Sequence, residues 1–339
     1  YVYASGMGQL HGDTSFVESY FQSFSTNPVR PLFWLAMILL LTHYVIIHGI
    51  RGGIERASKV MMPALFILLL IIVGASCMLP DAGRGIDFLF KPDFSKFNSS
   101  VFLGALGQSF YSLSIAMGCI CTYASYYSRQ TNLLGSAVQI AFIDTCVAIL
   151  AGLMIFPAAF SVGINPGSGP SLVFITLPNV FNQAFAGLPV LKWVVSLMFY
   201  LLLSLAALTS LISLHEVGTA FFCEELHISR RKGAVIVTAS TMFVGIFCSL
   251  SLSGYRGLQI AGKPLFDVFD FVTGQIFLPV GGFLTCLFIG WFVPKKMVQD
   301  EFTNWGTVCN RLFPVFLFLV RFVCPLAILS IFMLQFNVI

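Results

Sequence analysis

The chain has 339 residues, of which 58% are hydrophobic and only 9% are charged, and its formal net charge at pH 7 is +4. Soluble domains carry about 25% charged residues, so this composition is too apolar to cover a surface that faces water. It excludes soluble enzymes, nucleic-acid-binding domains and disordered segments, and it indicates a protein that is embedded in lipid.

Eight stretches are long and apolar enough to cross a membrane as helices, since about 20 helical residues span the hydrocarbon core of a bilayer. In chain order they are residues 31–50, 60–79, 101–127, 133–160, 191–222, 234–252, 268–293 and 312–336. Each run is continuously apolar, unlike the alternating strands of an outer-membrane barrel. The sequence therefore predicts an all-α integral membrane protein with about eight transmembrane helices, located as a multi-pass protein in a cell inner (plasma) membrane.

The basic residues between the spans predict which side of the membrane each loop faces. One set of alternate loops contains ten Lys and Arg residues, with clusters at residues 230–232 and 295–296, and the other set contains seven. Cytoplasmic loops carry an excess of Lys and Arg, so the first set is predicted to be cytoplasmic and both ends of the chain to face outward. An outward-facing first residue without a signal sequence is expected if an odd number of preceding helices is missing.

The longest loop and the cysteines are less informative. Residues 160–190 are rich in Gly, Pro and Ser and are predicted to be extracellular. Within them, residues 174–183 mix apolar and polar side chains, which suggests a segment that folds back into the mouth of the protein.

The nine cysteines lie in or beside apolar runs without a CxxC pair, which is typical of buried hydrophobic residues.

Ionisable residues inside the spans are the first candidates for function, because each charged group costs about 2.5–3.5 kcal/mol at the centre of a bilayer. They are Asp144, Glu216, Asp270 and Arg321, with Asp267 at the edge of a span. The excess of acids predicts cations, either Na⁺ or protons, as their partners, and hydrogen bonding between helices is the alternative for each acid alone. Arg321 is predicted to snorkel or to pair structurally.

The third span is unusual because residues 104–118 place many glycines and hydroxyl side chains in the middle of an apolar helix. Such a helix can unwind, and its freed N–H and C=O groups, together with the hydroxyls, can then hold a carboxylate or Na⁺. A seam of small residues for close helix packing is the alternative, and the sequence does not separate the two.

The fifth span contains a second cluster of hydroxyl side chains. Ala206, Thr209, Ser210 and Ser213 fall on one face of the predicted helix. Hard cations prefer oxygen ligands, so this cluster is a candidate cation site. Bonding of the hydroxyls to the backbone of their own helix is the alternative.

Motifs of enzymes are absent from the sequence. It contains neither an HExxH pattern nor a P-loop, and no nucleophile stands at a plausible spacing from a base. The histidines within the spans, His43, His48 and His215, are isolated along the chain and are interpreted as structural residues. The chain is therefore predicted not to be an enzyme.

Taken together, these segments resemble the neurotransmitter:sodium symporter family, in particular its prokaryotic amino-acid transporters with the LeuT fold. The most specific segments are residues 107–114 (GQSFYSLS), 122–126 (TYASY) and 207–210 (ALTS), supported by 53–56 (GIER), 174–178 (FITLP) and 270–271 (DF). Their order and spacing cover nearly the whole chain. The resemblance implies an inverted-repeat bundle in which interrupted helices form the substrate and ion sites.

In that family the eight spans correspond to helices four to eleven, so that helices one, two and most of three are expected to be missing from this chain. Residues 1–30 then hold the end of helix three and an extracellular loop, and residues 31–79 hold helices four and five. Residues 80–293 hold helices six to ten with the extracellular loop 161–190. Residues 294–339 hold a cytoplasmic loop and helix eleven.

The resemblance also implies roles for individual residues. The substrate pocket is assigned to Tyr111, Ser112, Ser114, Met117, Ser210 and Leu214. The sodium ligands are assigned to Ser112 and Asp144 in site one, and to Ala206 (through its carbonyl), Thr209 and Ser210 in site two. The outer gate is assigned to Asp270, the inner gate to Tyr126 and Glu224, and the neighbour of the chloride or carboxylate position to Gln108.

Asp144 also bears on the need for chloride. An ungapped alignment places it where the family usually has a sodium-ligating Asn, and a gap before Pro157 shifts it by one residue. At either position, a fixed carboxylate replaces the chloride that other members need for charge balance. The resemblance therefore implies two Na⁺ sites in the full-length protein and no requirement for chloride.

The function implied by the resemblance is Na⁺-coupled symport of a neutral or hydrophobic amino acid by alternating access. The uncharged side chains of Tyr111, Met117 and Leu214 argue against acidic or basic substrates. The expected partners are the amino acid and the lipid bilayer, without nucleic acid, and a homodimer stays open. Two alternatives also stay open: a LeuT-fold porter for another small solute such as betaine or a nucleobase, and a non-transporting membrane sensor or subunit.

Overall fold

A computed structural model describes residues 14–128, 131–161, 174, 189–254, 256–260, 262–306 and 310–335. Its helices, in chain order, are α1 (Thr14–Ser25), α2 (Arg30–Ile47), α3 (Ile50–Cys77), α4 (Ala82–Phe90), α5 (Ser99–Ser112), α6 (Cys119–Ser125), α7 (Leu133–Ser161), α8 (Pro189–Glu225), α9 (Arg230–Leu252), α10 (Leu265–Phe292), α11 (Lys295–Phe302) and α12 (Phe313–Leu334). Two short strands, β1 (Gln259–Ile260) and β2 (Lys263–Pro264), form a sheet. Apart from Phe174, the segment 174–183 that is predicted to fold back lies outside the described residues.

Among the described residues, seven helices are long and apolar enough to cross a membrane: α2, α3, α7, α8, α9, α10 and α12. They match seven of the eight predicted spans. The eighth, residues 101–127, is divided into α5 and α6, and neither part is long enough on its own. The protein is therefore all-α, as predicted, and the difference in number comes from an interruption of one span.

The surfaces of these helices expose large apolar side chains, as a lipid environment requires. Phe33, Leu40, Val60, Phe142 and Phe288 are each at least 60% exposed. In water, a surface of this kind promotes association or aggregation, whereas the acyl chains of a bilayer solvate it. The protein is a multi-pass membrane protein.

The chain packs into two compact units, each made of two segments. The first unit combines Tyr1–Pro92 with Cys146–Gln259, and the second combines Asp93–Thr145 with Ile260–Ile339. Helices α2, α3, α8 and α9 belong to the first unit, and α5, α6, α10 and α12 belong to the second. Helix α7 passes from the second unit to the first between Thr145 and Cys146.

In the first unit, α8 packs against α2, α3 and α9. The buried core is made of Leu69, Ile72, Met154, Ala158, Val195, Phe199 and Leu202. Helix α4 approaches α7 so closely that a Cβ atom at Gly85 would lie 2.4 Å from the backbone nitrogen of Pro157. Glycine at this position permits the contact, because it has no side chain to fill the space.

In the second unit, α12 packs against both α10 and α5. A Cβ atom at Gly107 of α5 would lie 3.4 Å from Ile331 of α12, and one at Gly282 of α10 would lie 2.8 Å from the ring of Phe110. Small residues therefore serve close packing in this region, as the alternative interpretation of the third span proposes. The interruption itself lies further along the chain.

Several spans contain π-helical turns, which disturb the regular bonding of an α-helix. They are Ile50–Ile54, Phe271–Phe277, Phe288–Phe292 and Leu319–Val323. The last two of these turns contact each other. Arg321 Nε in the turn Leu319–Val323 donates a hydrogen bond of 2.5 Å to the carbonyl of Gly290 in the turn Phe288–Phe292, and its guanidinium carbon lies 5.3 Å from the centre of the Trp291 ring. The predicted structural pairing of Arg321 is confirmed.

Candidate functional site

The third predicted span is interrupted between Ser112, where α5 ends, and Cys119, where α6 begins. Ser114, Ala116 and Gly118 have positive φ angles of 52°, 70° and 82° in the connection. A right-handed helix cannot continue through such residues, so backbone groups here are released from helical pairing. Of the two interpretations that the sequence leaves open for this span, the unwound helix is therefore present, together with the close packing described above.

The side chains of Ser112 and Asp144 meet at the interruption. The Ser112 hydroxyl lies 2.9 Å from Asp144 Oδ2 and 3.1 Å from Oδ1, so it donates a hydrogen bond that the two carboxylate oxygens share. Asp144 is partly buried near the middle of α7. Within the described part of the chain its carboxylate forms no ion pair. Three oxygens with one negative charge are ligands of the kind that a hard cation requires.

The other residues predicted for this part of the pocket lie on or beside the interruption. Tyr111 is 51% exposed at the end of α5, and a Cβ atom at Gly274 would lie 3.9 Å from its ring. Ser114 and Met117 belong to the connection, where the Met117 N–H donates to the Ser114 carbonyl at 3.3 Å. Gln108 is exposed, one helical turn before Ser112.

The hydroxyl cluster of the fifth predicted span lies on α8. Thr209 Oγ1 donates to the carbonyl of Ala206 at 2.8 Å, and Ser210 Oγ donates to the same carbonyl at 3.1 Å. Bonding of the hydroxyls to their own helix is therefore present. The hydroxyl hydrogens occupy the carbonyl oxygen, while each hydroxyl oxygen keeps its own lone pairs. The three oxygens lie close together, and they can face a cation jointly once the hydroxyl hydrogens rotate away from the carbonyl.

Helix α8 has faces of different character. Ser210 and Leu214, which are predicted for the substrate pocket, lie one turn apart on an exposed face, and Leu214 is 48% exposed. Ile212 and His215 are buried, with exposed fractions of 3% and 5%. The predicted substrate residues of α8 therefore share one accessible surface.

The predicted gate residues lie at the ends of helical segments. Asp270 is exposed and immediately precedes the π-helical turn Phe271–Phe277. Tyr126 caps the C-terminal end of α6, and Glu224 is exposed near the end of α8. Their gating roles stay predictions.

Glu216 differs from Asp144 because an arginine holds it. Arg230 Nη1 donates to Oε1 at 2.9 Å and Nη2 donates to Oε2 at 2.5 Å, while Arg230 Nε donates to the carbonyl of Ile46 at 3.0 Å. Glu216 itself is fully buried. The expectation that a cation from solution completes this acid is wrong for Glu216, because a residue from the predicted cytoplasmic loop reaches it and joins α2, α8 and α9.

His43 and His215 are not isolated in space, although the sequence suggests that they are. His43 Nδ1 and His215 Nε2 each lie 2.8 Å from Oγ1 of Thr238, and His215 Nδ1 lies 3.1 Å from Oγ1 of Thr219. The spacing of His215 and Thr219, one helical turn apart, is a signal in the sequence. The contribution of Thr238 from another helix has no such signal.

Comparison with known proteins identifies the family. The model of the sodium:neurotransmitter symporter family matches residues 22–339. The chain belongs to this family. Its members are transporters, which agrees with the prediction that the chain is not an enzyme.

Two bacterial members of the symporter family have similar sequences. A sodium-dependent transporter of Haemophilus influenzae is 37% identical over 308 residues, which cover 90% of this chain and 65% of the relative. The sodium-dependent transporter YhdH of Bacillus subtilis is 35% identical over 335 residues, which cover 98% of this chain and 73% of YhdH. The chain thus spans between 65% and 73% of the length of these symporter relatives.

A solved structure within the symporter family supports the fold. The crystal structure of MhsT in complex with L-phenylalanine matches this chain with a TM-score of 0.83 and 36% sequence identity. The match covers 98% of this chain and 74% of the MhsT chain. The predicted all-α, LeuT-like fold of a sodium symporter is confirmed.

Proposed function

We propose that this protein is a Na⁺-coupled symporter that carries a neutral or hydrophobic amino acid across the membrane by alternating access. The single observation that carries the proposal is the pairing of Ser112 with the partly buried Asp144 at an interrupted helix. Membership of the symporter family and the names of its bacterial relatives support Na⁺ as the coupling ion.

The first Na⁺ binds at Ser112 and Asp144. When the ion arrives, the Ser112 hydroxyl turns its hydrogen away from the carboxylate, so that its oxygen and the oxygens of Asp144 face the ion together. Carbonyls released in the connection 113–118 supply further ligands. The charge of the cation offsets the cost of a carboxylate in the membrane.

The second Na⁺ binds at the carbonyl of Ala206 and the hydroxyls of Thr209 and Ser210. These three oxygens already converge, because both hydroxyls bond to that carbonyl. Binding of the ion requires the hydroxyl hydrogens to rotate, while the helix stays intact. The site is neutral, so it binds a cation more weakly than a site that contains a carboxylate.

Chloride is not required, because Asp144 supplies a fixed negative charge beside the first ion. In a symporter with a neutral residue at this position, a mobile anion has to balance the charge of Na⁺. The hydrogen bond from Ser112 holds the carboxylate in place. The structure of the site therefore favours transport that persists when chloride is replaced by gluconate.

The substrate is an amino acid with an uncharged side chain. None of the side chains that the family resemblance assigns to the substrate, Tyr111, Met117 and Leu214, is charged, so none of them offers a partner to a charged substrate side chain. Most N–H groups of the connection 113–118 already donate to backbone carbonyls. The N–H groups of Ala116 and Gly118 are therefore the ones proposed to hold the substrate carboxylate, with Gln108 nearby in α5. MhsT, which is 36% identical to this chain in the part that matches, was solved in complex with L-phenylalanine, and an aromatic amino acid fits the same chemistry.

Transport follows from differential binding to two states of the protein. Na⁺ favours the outward-open state, the substrate closes the outer gate at Asp270, and opening at Tyr126 and Glu224 releases the ligands inside. Each ligand drives this cycle only to the extent that it binds the two states with different affinity.

The test is uptake of labelled amino acids by vesicles that contain the full-length protein, with an inward gradient of either Na⁺ or K⁺. We expect accumulation of neutral amino acids with Na⁺ only, and inhibition by L-leucine or L-tryptophan. Failure to accumulate any of them with Na⁺ would contradict symport and support a sensor or subunit. Inhibition by betaine or nucleobases instead would contradict the proposed substrate class.

A further inference from the structure

A hydrogen-bond network joins α2, α8 and α9 in the first unit, and its residue on α8, His215, lies on the buried face of that helix while Ser210 and Leu214 lie on the exposed face. Its side chains are those of His43, His215, Thr219 and Thr238. His215 is 5% exposed and Thr219 is fully buried. Each threonine also bonds to a backbone carbonyl, at 2.8 Å from Thr238 to Ala234 and at 3.0 Å from Thr219 to His215.

The hydrogens at Thr238 can be counted. Its hydroxyl has one hydrogen to donate and two lone pairs to accept with, and it has three partners: the Ala234 carbonyl, His43 Nδ1 and His215 Nε2. The carbonyl can only accept. If it receives the hydroxyl hydrogen, both histidine nitrogens must carry hydrogens that they donate to Thr238.

The same count applies to Thr219. Its two partners are the carbonyl and Nδ1 of His215. If the hydroxyl hydrogen goes to the carbonyl, then Nδ1 must also carry a hydrogen. All five contacts of the network are therefore satisfied together only when both ring nitrogens of His215 are protonated, which makes the ring a cation.

A neutral His215 leaves one contact unsatisfied. If only Nδ1 carries the hydrogen, Thr238 must donate to Nε2 and release Ala234. If only Nε2 carries it, Thr219 must donate to Nδ1 and release the carbonyl of its own helix. The network thus accommodates one more proton than its neutral side chains bring.

The charged groups around His215 supply no net counter-charge for this proton, so its binding depends on the hydrogen bonds of the network. The groups that face it are His43 from α2, Glu216 from α8 and Arg230 from α9. The carboxylate and the guanidinium neutralise each other in their ion pair. The ionisable residues at the start of α3, which also packs against α8, are exposed: Arg51, Glu55, Arg56 and Lys59.

We propose that His215, held between Thr219 and Thr238, is a proton-binding site whose occupancy opposes Na⁺ binding at Ala206, Thr209 and Ser210. The part of this inference that concerns Na⁺ binding rests on the proposed function, whereas the part that concerns proton binding to His215 does not. His215 follows Thr209 by six residues, which is about 9 Å along an α-helix. Two positive charges at that distance repel each other, so each ligand weakens the binding of the other.

The proton site is tested by nuclear magnetic resonance of the full-length protein with ¹⁵N-labelled histidine. The His215→Gln variant identifies the signals of His215 by their loss. We expect both ring nitrogens to be protonated at the acidic end and one to lose its hydrogen within the range of about pH 5 to 8 in which histidine titrates. A His215 that keeps one neutral tautomer throughout this range overturns the proposal.

Two companion variants keep this test decisive if His215→Gln fails to fold. Thr219→Val removes the acceptor for Nδ1–H, so we expect proton affinity to fall about tenfold, the effect of losing a hydrogen bond to a charged group. Thr145→Val is the matched control, because Thr145 bonds only to its own helix at Ala141. An unchanged titration of His215 in Thr219→Val contradicts the proposed role of the network.

The coupling is tested in the same samples by replacing K⁺ with saturating Na⁺ at constant ionic strength. We expect the titration midpoint of His215 to fall by about one pH unit, and the shift to vanish in Thr209→Ala. Equal midpoints in both salts overturn the coupling. Binding of a labelled amino acid separates the two proposals: if it is independent of Na⁺ while His215 still titrates, the proposed symport fails and the proton site stands.

Discussion

Two acids within the membrane-spanning helices, Asp144 and Glu216, have very different surroundings. Asp144 is partly buried and accepts a hydrogen bond from Ser112, a neutral side chain. Glu216 is fully buried and accepts two hydrogen bonds from Arg230. Arg230 neutralises Glu216 inside the protein, whereas no ion pair among the described residues neutralises Asp144.

The difference shows that depth in the membrane does not by itself make an acid functional. A buried ion pair joins helices, and removal of one member leaves the other charge without a partner. In the proposed sodium site, by contrast, the carboxylate of Asp144 gains its charge balance from the bound ion. The two acids are therefore expected to respond to substitution in opposite ways, one through stability and the other through ion affinity.

The largest effect is expected for Glu216→Gln, which leaves the partly buried charge of Arg230 without its partner. The free energy of unfolding of the full-length protein in detergent should fall by about 3–5 kcal/mol, with and without Na⁺. The control Glu225→Gln changes an exposed acid at the end of the same helix and should shift stability by less than about 0.5 kcal/mol. Equal stability of the two variants would show that the ion pair between Glu216 and Arg230 does not stabilise the packing of the helices.

The next effect is expected for Asp144→Asn, which keeps an oxygen in place but removes the charge. Na⁺ affinity should fall about a hundredfold, or about 2.8 kcal/mol, while the unfolding free energy stays nearly constant. Uptake should become dependent on chloride. Asp267→Asn, at an exposed position, serves as the control. Unchanged Na⁺ affinity in Asp144→Asn would remove the basis for the first sodium site.

A smaller loss is expected for Arg230→Lys, which keeps the charge but not the planar fork that contacts both oxygens of Glu216 and the Ile46 carbonyl. The unfolding free energy should fall by about 1.5–3 kcal/mol, the range for hydrogen bonds to charged groups. Its exposed neighbour gives the control Arg231→Lys. If lysine supports full stability, charge alone rather than bidentate geometry holds Glu216.

The smallest effect is expected for Ser112→Ala, which removes one ligand and the hydrogen bond to Asp144. Na⁺ affinity should fall about fivefold, or about 1 kcal/mol, as measured by Na⁺ dependence of amino-acid binding. Ser109→Ala is the matched control on the same helix, because its hydroxyl bonds to the Ala105 carbonyl. A similar loss in both variants would indicate a general effect on α5 instead of a lost ligand.

Much of the site follows from the sequence because it depends on local chemistry. The glycines and hydroxyls of residues 104–118 mark this span as one that can unwind or pack closely, and the structure shows that it ends as a helix at Ser112. The convergence of Thr209 and Ser210 on Ala206 follows from helical spacing alone. Arg321 is correctly expected to pair structurally, although its partners Gly290 and Trp291 come from another helix.

Apolar composition and the length of the apolar runs determine that this chain is an all-α membrane protein, because lipid leaves a backbone few ways to satisfy its polar groups. The sequence by itself also indicates the span in which a helix can break, although the break between Ser112 and Cys119 is seen only in the structure. Only the tertiary structure decides that Asp144 meets a serine, that Glu216 meets Arg230, and that His43 and His215 share Thr238. Such partners come from separate helices, and their meeting depends on how those helices pack, which no local pattern of residues encodes.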